Sequence, residues 1–118
     1  MEAFRVNLFA LKNEGGSASA TVDLGRPRRF MAWGSVTMVD PLNDFDRDNA
    51  FAMDIFTVDG NLTNSRVSGG EHWGASGSGN NVFDGAVVGF GQRINFWLRS
   101  IHSSDLDSFG VGIVLVLD

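Results

Sequence analysis

Asp44, Asp46 and Asp48 occupy alternate positions in Asp40-Pro41-Leu42-Asn43-Asp44-Phe45-Asp46-Arg47-Asp48-Asn49. In a curled loop that spacing turns three carboxylates toward one point, the arrangement a hard cation such as Ca²⁺ needs. An EF-hand is excluded, because Asn49 and Ile55 stand where its loop requires Gly and Glu. A looser calcium loop is the functional reading. The alternative is a solvated loop in which the Asp residues make turns and Arg47 screens them.

A second candidate lies in the glycine-rich stretch Gly69-Gly70-Glu71-His72-Trp73-Gly74-Ala75-Ser76-Gly77-Ser78-Gly79. Glu71, His72 and Trp73 together offer a flat apolar plane beside hydrogen-bonding groups, which suits a sugar or another small polar ligand. The alternative is that Trp73 folds back and plugs one end of the core. A phosphate loop is excluded, since no Lys-Ser or Lys-Thr follows the glycines.

The third candidate is a strand face. Arg93, Asn95, Trp97 and Arg99 alternate with Ile94, Phe96 and Leu98. The apolar set marks the core side, so the other four residues point outward. A Trp between two Arg suits stacking on a pyranose ring with hydrogen bonds to its hydroxyls. It equally suits a protein interface, or an indole covered by an arginine through a cation–π contact. Arg5, Asn7 and Phe9 carry a related pattern on the first strand. The two sets would form one patch if their strands are neighbours.

Catalytic sets are weak. His102, Ser103, Ser104 and Asp105 are adjacent in sequence, and side chains adjacent on a turn do not form a triad. A carboxylate pair of Glu71 with an Asp would need a separation that sequence does not supply. The expectation is a protein that is not an enzyme. Asn61-Leu62-Thr63 fits a glycosylation sequon, and Arg26-Pro27-Arg28-Arg29 is a short basic knot.

The elements that position these residues read as strands. The 118 residues include eleven Asp and 15 Gly but one Lys and three Glu, a composition poor in helix formers and rich in turn formers. Phe4, Val6, Leu8 and Ala10 form one alternating strand, and Ala20, Val22 and Leu24 a second, broken at Gly25-Arg26-Pro27. Residues 29–39 form a third, with Phe30, Ala32, Val36 and Met38 on one side. Further strands carry Phe51, Met53 and Ile55, then 62–68 as a weak edge. Residues 82–90 and 93–101 follow, joined by a hairpin at Gly91-Gln92. The last, 109–117, is apolar on both faces, which befits a central strand covered twice or a strand at a subunit interface. The expected fold is all-β, a single domain spanning 1–118: an antiparallel β-sandwich or jelly-roll of seven to eight strands.

Charge and composition bound the partners. A net charge of -5 argues against nucleic acid, which needs a surplus of Lys and Arg. No run approaches the ~20 apolar residues of a membrane-spanning helix. The absence of Cys removes disulfides and thiolate metal sites. The N-terminus shows no basic segment followed by an apolar one, so no signal peptide is expected. A cytoplasmic protein, or one released without a classical signal, fits that expectation, and removal of a leader by maturation is the alternative. Size, acidity, lack of Cys and the strand pattern are similar to small microbial lectins, with none of their calcium or sugar motifs matched residue by residue.

Two functions follow. One is a lectin-like, carbohydrate-binding module using Trp97, Asn95, Arg99 and Arg93 on the face and Glu71, His72 and Trp73 in the loop. Ca²⁺ would be held by Asp44, Asp46 and Asp48. The other is a self-assembling shell, virion or scaffold subunit, suggested by Val111-Gly112-Ile113-Val114-Leu115-Val116-Leu117. A homo-oligomer is compatible with both.

Overall fold

Residues of alternating polarity build most of the strands, and their inner members are mainly apolar. The computed structural model describes residues 2–10, 17–39, 51–58, 64–68, 80–100 and 107–117. Among them are six strands and no helix: β1 (Ala3–Ala10), β2 (Ser17–Val39), β3 (Phe51–Thr57), β4 (Asn64–Ser68), β5 (Asn80–Ser100) and β6 (Asp107–Val116). They form one sheet in the order β1-β6-β2-β5-β3-β4, with every pair antiparallel. The weak edge strand expected before Gly69 is β4, and it does lie at the sheet edge.

Two of the expected strand breaks are absent. Gly25-Arg26-Pro27 does not end a strand, and Gly91-Gln92 does not make a hairpin. Instead β2 and β5, 23 and 21 residues long, run beside each other across a corner. Asp23 pairs with Arg93 and Arg28 with Gly91, so four residues of β2 face a single one of β5 at the shift. Gly25 takes φ +83°, a left-handed conformation that a side chain would strain. Pro27 has no N–H to donate, and it falls in the stretch that has no β5 partner. The expected count of seven or eight strands therefore becomes six among the described residues, because two pairs have fused.

The corner is clamped by side chains. Asp23 Oδ1 accepts the Gly25 backbone N–H at 2.8 Å and the Gln92 amide at 3.1 Å. Arg93 Nε lies 3.5 Å from Asp23 Oδ2. These donors hold the Asp23 carboxyl below its ordinary value, the backbone N–H of Gly25 contributing most and Gln92 next. Of the basic knot, Arg28 folds against the N-terminal strand and pairs with Glu2 Oε1 at 2.9 Å.

The corner divides the sheet into two halves whose inner faces meet. One half contributes Leu8, Ala10, Phe30, Ala32, Val36 and Val114 to the core. The other contributes Val22, Met53, Ile55, Ile94, Phe96 and Leu98. The closeness of the halves shows at glycines. A Cβ on Gly34 would lie 2.7 Å from Met53 Sδ, and one on Gly112 would lie 2.6 Å from the Phe96 ring. A side chain at either position would have to displace these neighbours.

Candidate functional site

Ile94, Phe96 and Leu98 are fully buried, which sends Arg93, Asn95, Trp97 and Arg99 to the outer face as their alternation requires. Register assembles their neighbours. Trp97 lies between Ser19 of β2 and Asp54 of β3, and Asn95 lies between Thr21 and Phe56. Ser17 stands opposite Arg99, and Asp23 opposite Arg93.

Trp97 keeps 40% of its surface exposed. The Arg99 guanidinium carbon sits 4.9 Å from its ring centroid, a cation–π distance. Arg99 is in turn held by Asp54, with Nε 3.3 Å from Oδ2. Asp54 is buried although it faces outward, with Trp97 of β5 and Arg66 of β4 as its cross-strand partners. Thr21 Oγ1 and Asn95 Oδ1 lie 3.1 Å apart, so the hydroxyl donates to the amide oxygen. The face thus presents the exposed Trp97 plane, held by Arg99, with the half-buried Phe56 on its β3 side and exposed Ser17, Ser19 and Thr21 on its β2 side. Small hydroxyl residues there leave the indole reachable from that side.

All four strand residues selected from the sequence therefore share one surface. Glu71, His72 and Trp73, and the proposed calcium residues Asp44, Asp46 and Asp48, lie outside the described residues. Arg5, Asn7 and Phe9 do not join the Trp97 face. β1 pairs with β6 at the far edge of the sheet, in the half across the corner. Sequence reasoning missed Asp54, Ser19 and Thr21. The signal for Asp54 was a lone acid inside the apolar run Phe51-Ala52-Met53-Asp54-Ile55-Phe56.

The outer face of the other half differs in kind. Phe9 and Phe109 pack edge to face there, with ring centroids 5.3 Å apart. Val88 and Phe90 stand exposed on β5, and Leu117 just past the end of β6. Between these two groups lie the half-buried Met31, Trp33, Val111, Ile113 and Leu115. The outer surface around Trp97 is mainly polar, with Phe56 and the exposed Val58 beside it, while the other is richer in apolar side chains, with Arg5, Asn7, Arg29, Ser35 and Thr37 among them.

No protein-family model matches the chain, and no curated protein matches its sequence. Solved structures do share its shape. The globular domain of zebrafish complement 1qA protein aligns with TM-score 0.53 and 8% identity, over 83% of this chain and 68% of that one. The Yersinia pseudotuberculosis-derived mitogen aligns with TM-score 0.51 and 10% identity, over 99% and 88%. The VP2 protein of infectious bursal disease virus, in T=1 particles, aligns with TM-score 0.51 and 10% identity, over 97% of this chain and 32% of that one. At such identities the likeness is one of fold: all-β, antiparallel and jelly-roll-like. No helix among the described residues is long and apolar enough to cross a membrane.

Proposed function

We infer that the chain is a binding module without catalytic chemistry, and that its Trp97 face takes a carbohydrate. On this reading the folded-over sheet is a two-layered sandwich displaying one ligand face. The observation that carries the reading is Trp97 itself, 40% exposed and fixed in place by an arginine that a buried aspartate anchors. An indole held this way loses little conformational entropy when a ring stacks on it. The C–H face of a sugar would lie on the indole. Its hydroxyls would bond to Ser19, Thr21, the Asn95 amide and the outer N–H groups of Arg99 and Arg93. Glu71, His72 and Trp73 are proposed as further ligand contacts from the glycine-rich loop.

The test is a glycan array run with calcium and with EDTA, on the wild type and on Trp97→Ala. Binding lost in a folded Trp97→Ala protein supports the assignment, and retained binding removes it. Loss of binding in EDTA would support Ca²⁺ at Asp44, Asp46 and Asp48. Binding that ignores EDTA would return those residues to solvent roles. No binding in any buffer would shift the weight to the second reading, an assembling structural subunit. That reading draws on the apolar outer face, and the jelly-roll-like fold is compatible with either.

A further inference from the structure

We propose that the apolar outer face built by β1, β6, β2 and the first half of β5 is covered in solution by the same face of a second copy of this chain. This does not depend on the glycan reading, since the two surfaces lie on different halves of the sheet.

Three observations carry the proposal. The first is area. Phe9, Val88, Phe90, Phe109 and Leu117 expose between 38% and 66% of their surfaces. For side chains of this size that amounts to on the order of 500 Å² of apolar surface. The five stand in two groups at opposite ends of the face, and only with the half-buried row between them do they make one patch, against about 300–600 Å² for the largest on an ordinary monomer. A stable dimer buries about 800 Å² per partner. The half-buried Met31, Trp33, Val111, Ile113 and Leu115 extend the face toward that size.

The second observation is shape and position. Gly110, Gly112, Val114 and Val116 point into the core, while Val111, Ile113 and Leu115 of the same strand point out. β6 lies between β1 and β2 and is no edge strand. Its outward apolar row is therefore the middle of a sheet face, suited to stacking on another sheet at about 10 Å. Edge-to-edge pairing through backbone groups would leave this row in water.

The third observation is charge. Among the described side chains, the ionisable groups of this face are Arg5 and Arg29, both near its margin. Asp84 takes a register position on this face opposite Ser35, so one acid interrupts it; apolar side chains flanked by polar ones are the layout of a protein interface. A lipid surface is a poorer occupant. Anionic lipids would repel a chain whose net charge is -5, and the two arginines at the margin are few against that charge.

Sedimentation equilibrium of the wild type from about 1 to about 100 µM, beside Val88→Glu and Phe9→Glu, tests the proposal. Both positions are exposed, so a charge there leaves the core untouched, and circular dichroism with thermal melting confirms the fold. The expected result is concentration-dependent association in the wild type and at least a tenfold weaker association in each variant. Trp97→Ala should associate as the wild type does. A wild type that stays monomeric throughout would overturn the proposal. So would a folded Val88→Glu that associates unchanged. A monomer that floats with neutral-lipid vesicles, and stops doing so in Val88→Glu, would also overturn it and give the face to a membrane. Failure of glycan binding would leave this result standing, because the readout is mass.

Discussion

The Arg99 guanidinium lies over the Trp97 indole, 4.9 Å from the ring centroid, while its Nε reaches back to Asp54. The arginine covers part of the ring and fixes its orientation. Removing it should weaken ligand binding without abolishing it. Arg99→Ala is expected to lower affinity about fivefold, since an exposed cation–π contact is worth about 0.5–1 kcal/mol. Trp97→Ala should lose binding altogether and Trp97→Phe should regain part of it. Isothermal titration calorimetry with the best glycan from the array, which needs no indole at the site, measures all three.

Asp23 makes stability depend on acid pH. Its folded pKa is lowered from the ordinary 3.8, chiefly by the Gly25 N–H and then by the Gln92 amide. The stabilisation is fully present above the unfolded value and is lost as pH falls through the lowered folded value. Asp23→Asn keeps an oxygen for the Gly25 N–H and loses the charge. It should be less stable than the wild type near pH 7, and the two should converge as pH falls through the lowered folded value. Urea midpoints across that window give the difference. A constant gap at every pH would refute the assignment.

Three glycines should respond differently to a methyl group. Gly112→Ala would press on the Phe96 ring, a rigid and fully buried neighbour. A loss of about 1–3 kcal/mol is expected for such overpacking. Gly110→Ala would meet the flexible Cε end of Met53 at 2.5 Å and Leu98 at 3.3 Å, so it should cost less. Gly25→Ala has open space around it but a positive φ, so its cost is backbone strain. Denaturant melts of the three variants should rank Gly112→Ala as the most damaging of the two core changes. Equal loss at Gly110 and Gly112 would sink the contrast.

Ser108 is fully buried, and its hydroxyl has no hydrogen-bond partner among the described residues. A buried unsatisfied polar group costs about 1–3 kcal/mol. Ser108→Ala should therefore be neutral or raise the melting temperature. A drop of several degrees would mean that the hydroxyl has a partner in the native protein.

Much of the site was legible from alternation alone. Ile94, Phe96 and Leu98 against Arg93, Asn95, Trp97 and Arg99 is a period of two, and a strand sends alternate residues to opposite faces. The same rule placed Leu8, Ala10, Phe30, Ala32 and Val36 in the core and Trp33 outside it. What alternation does not carry is which strand lies beside which. The patch joining Arg5 and Asn7 to Trp97 required a neighbour relation, and β1 turned out to lie next to β6.

Strand ends were legible only where no partner overrode them. Gly25-Arg26-Pro27 and Gly91-Gln92 have turn-forming residues, and a local reading ends a strand at each. In the fold these segments lie side by side at one corner, where the Asp23 clamp and the ladders on either side keep both chains running. The amino-acid order by itself determined the all-β class, the strand faces and the outward Trp97, because these depend on local periodicity and propensity. Only the tertiary structure decided the fused strands, Asp54 as the anchor of Arg99, and the placing of Phe9, Val88, Phe90, Phe109 and Leu117 on one half of the sheet. Those depend on contacts between residues far apart in the chain, which no local pattern encodes.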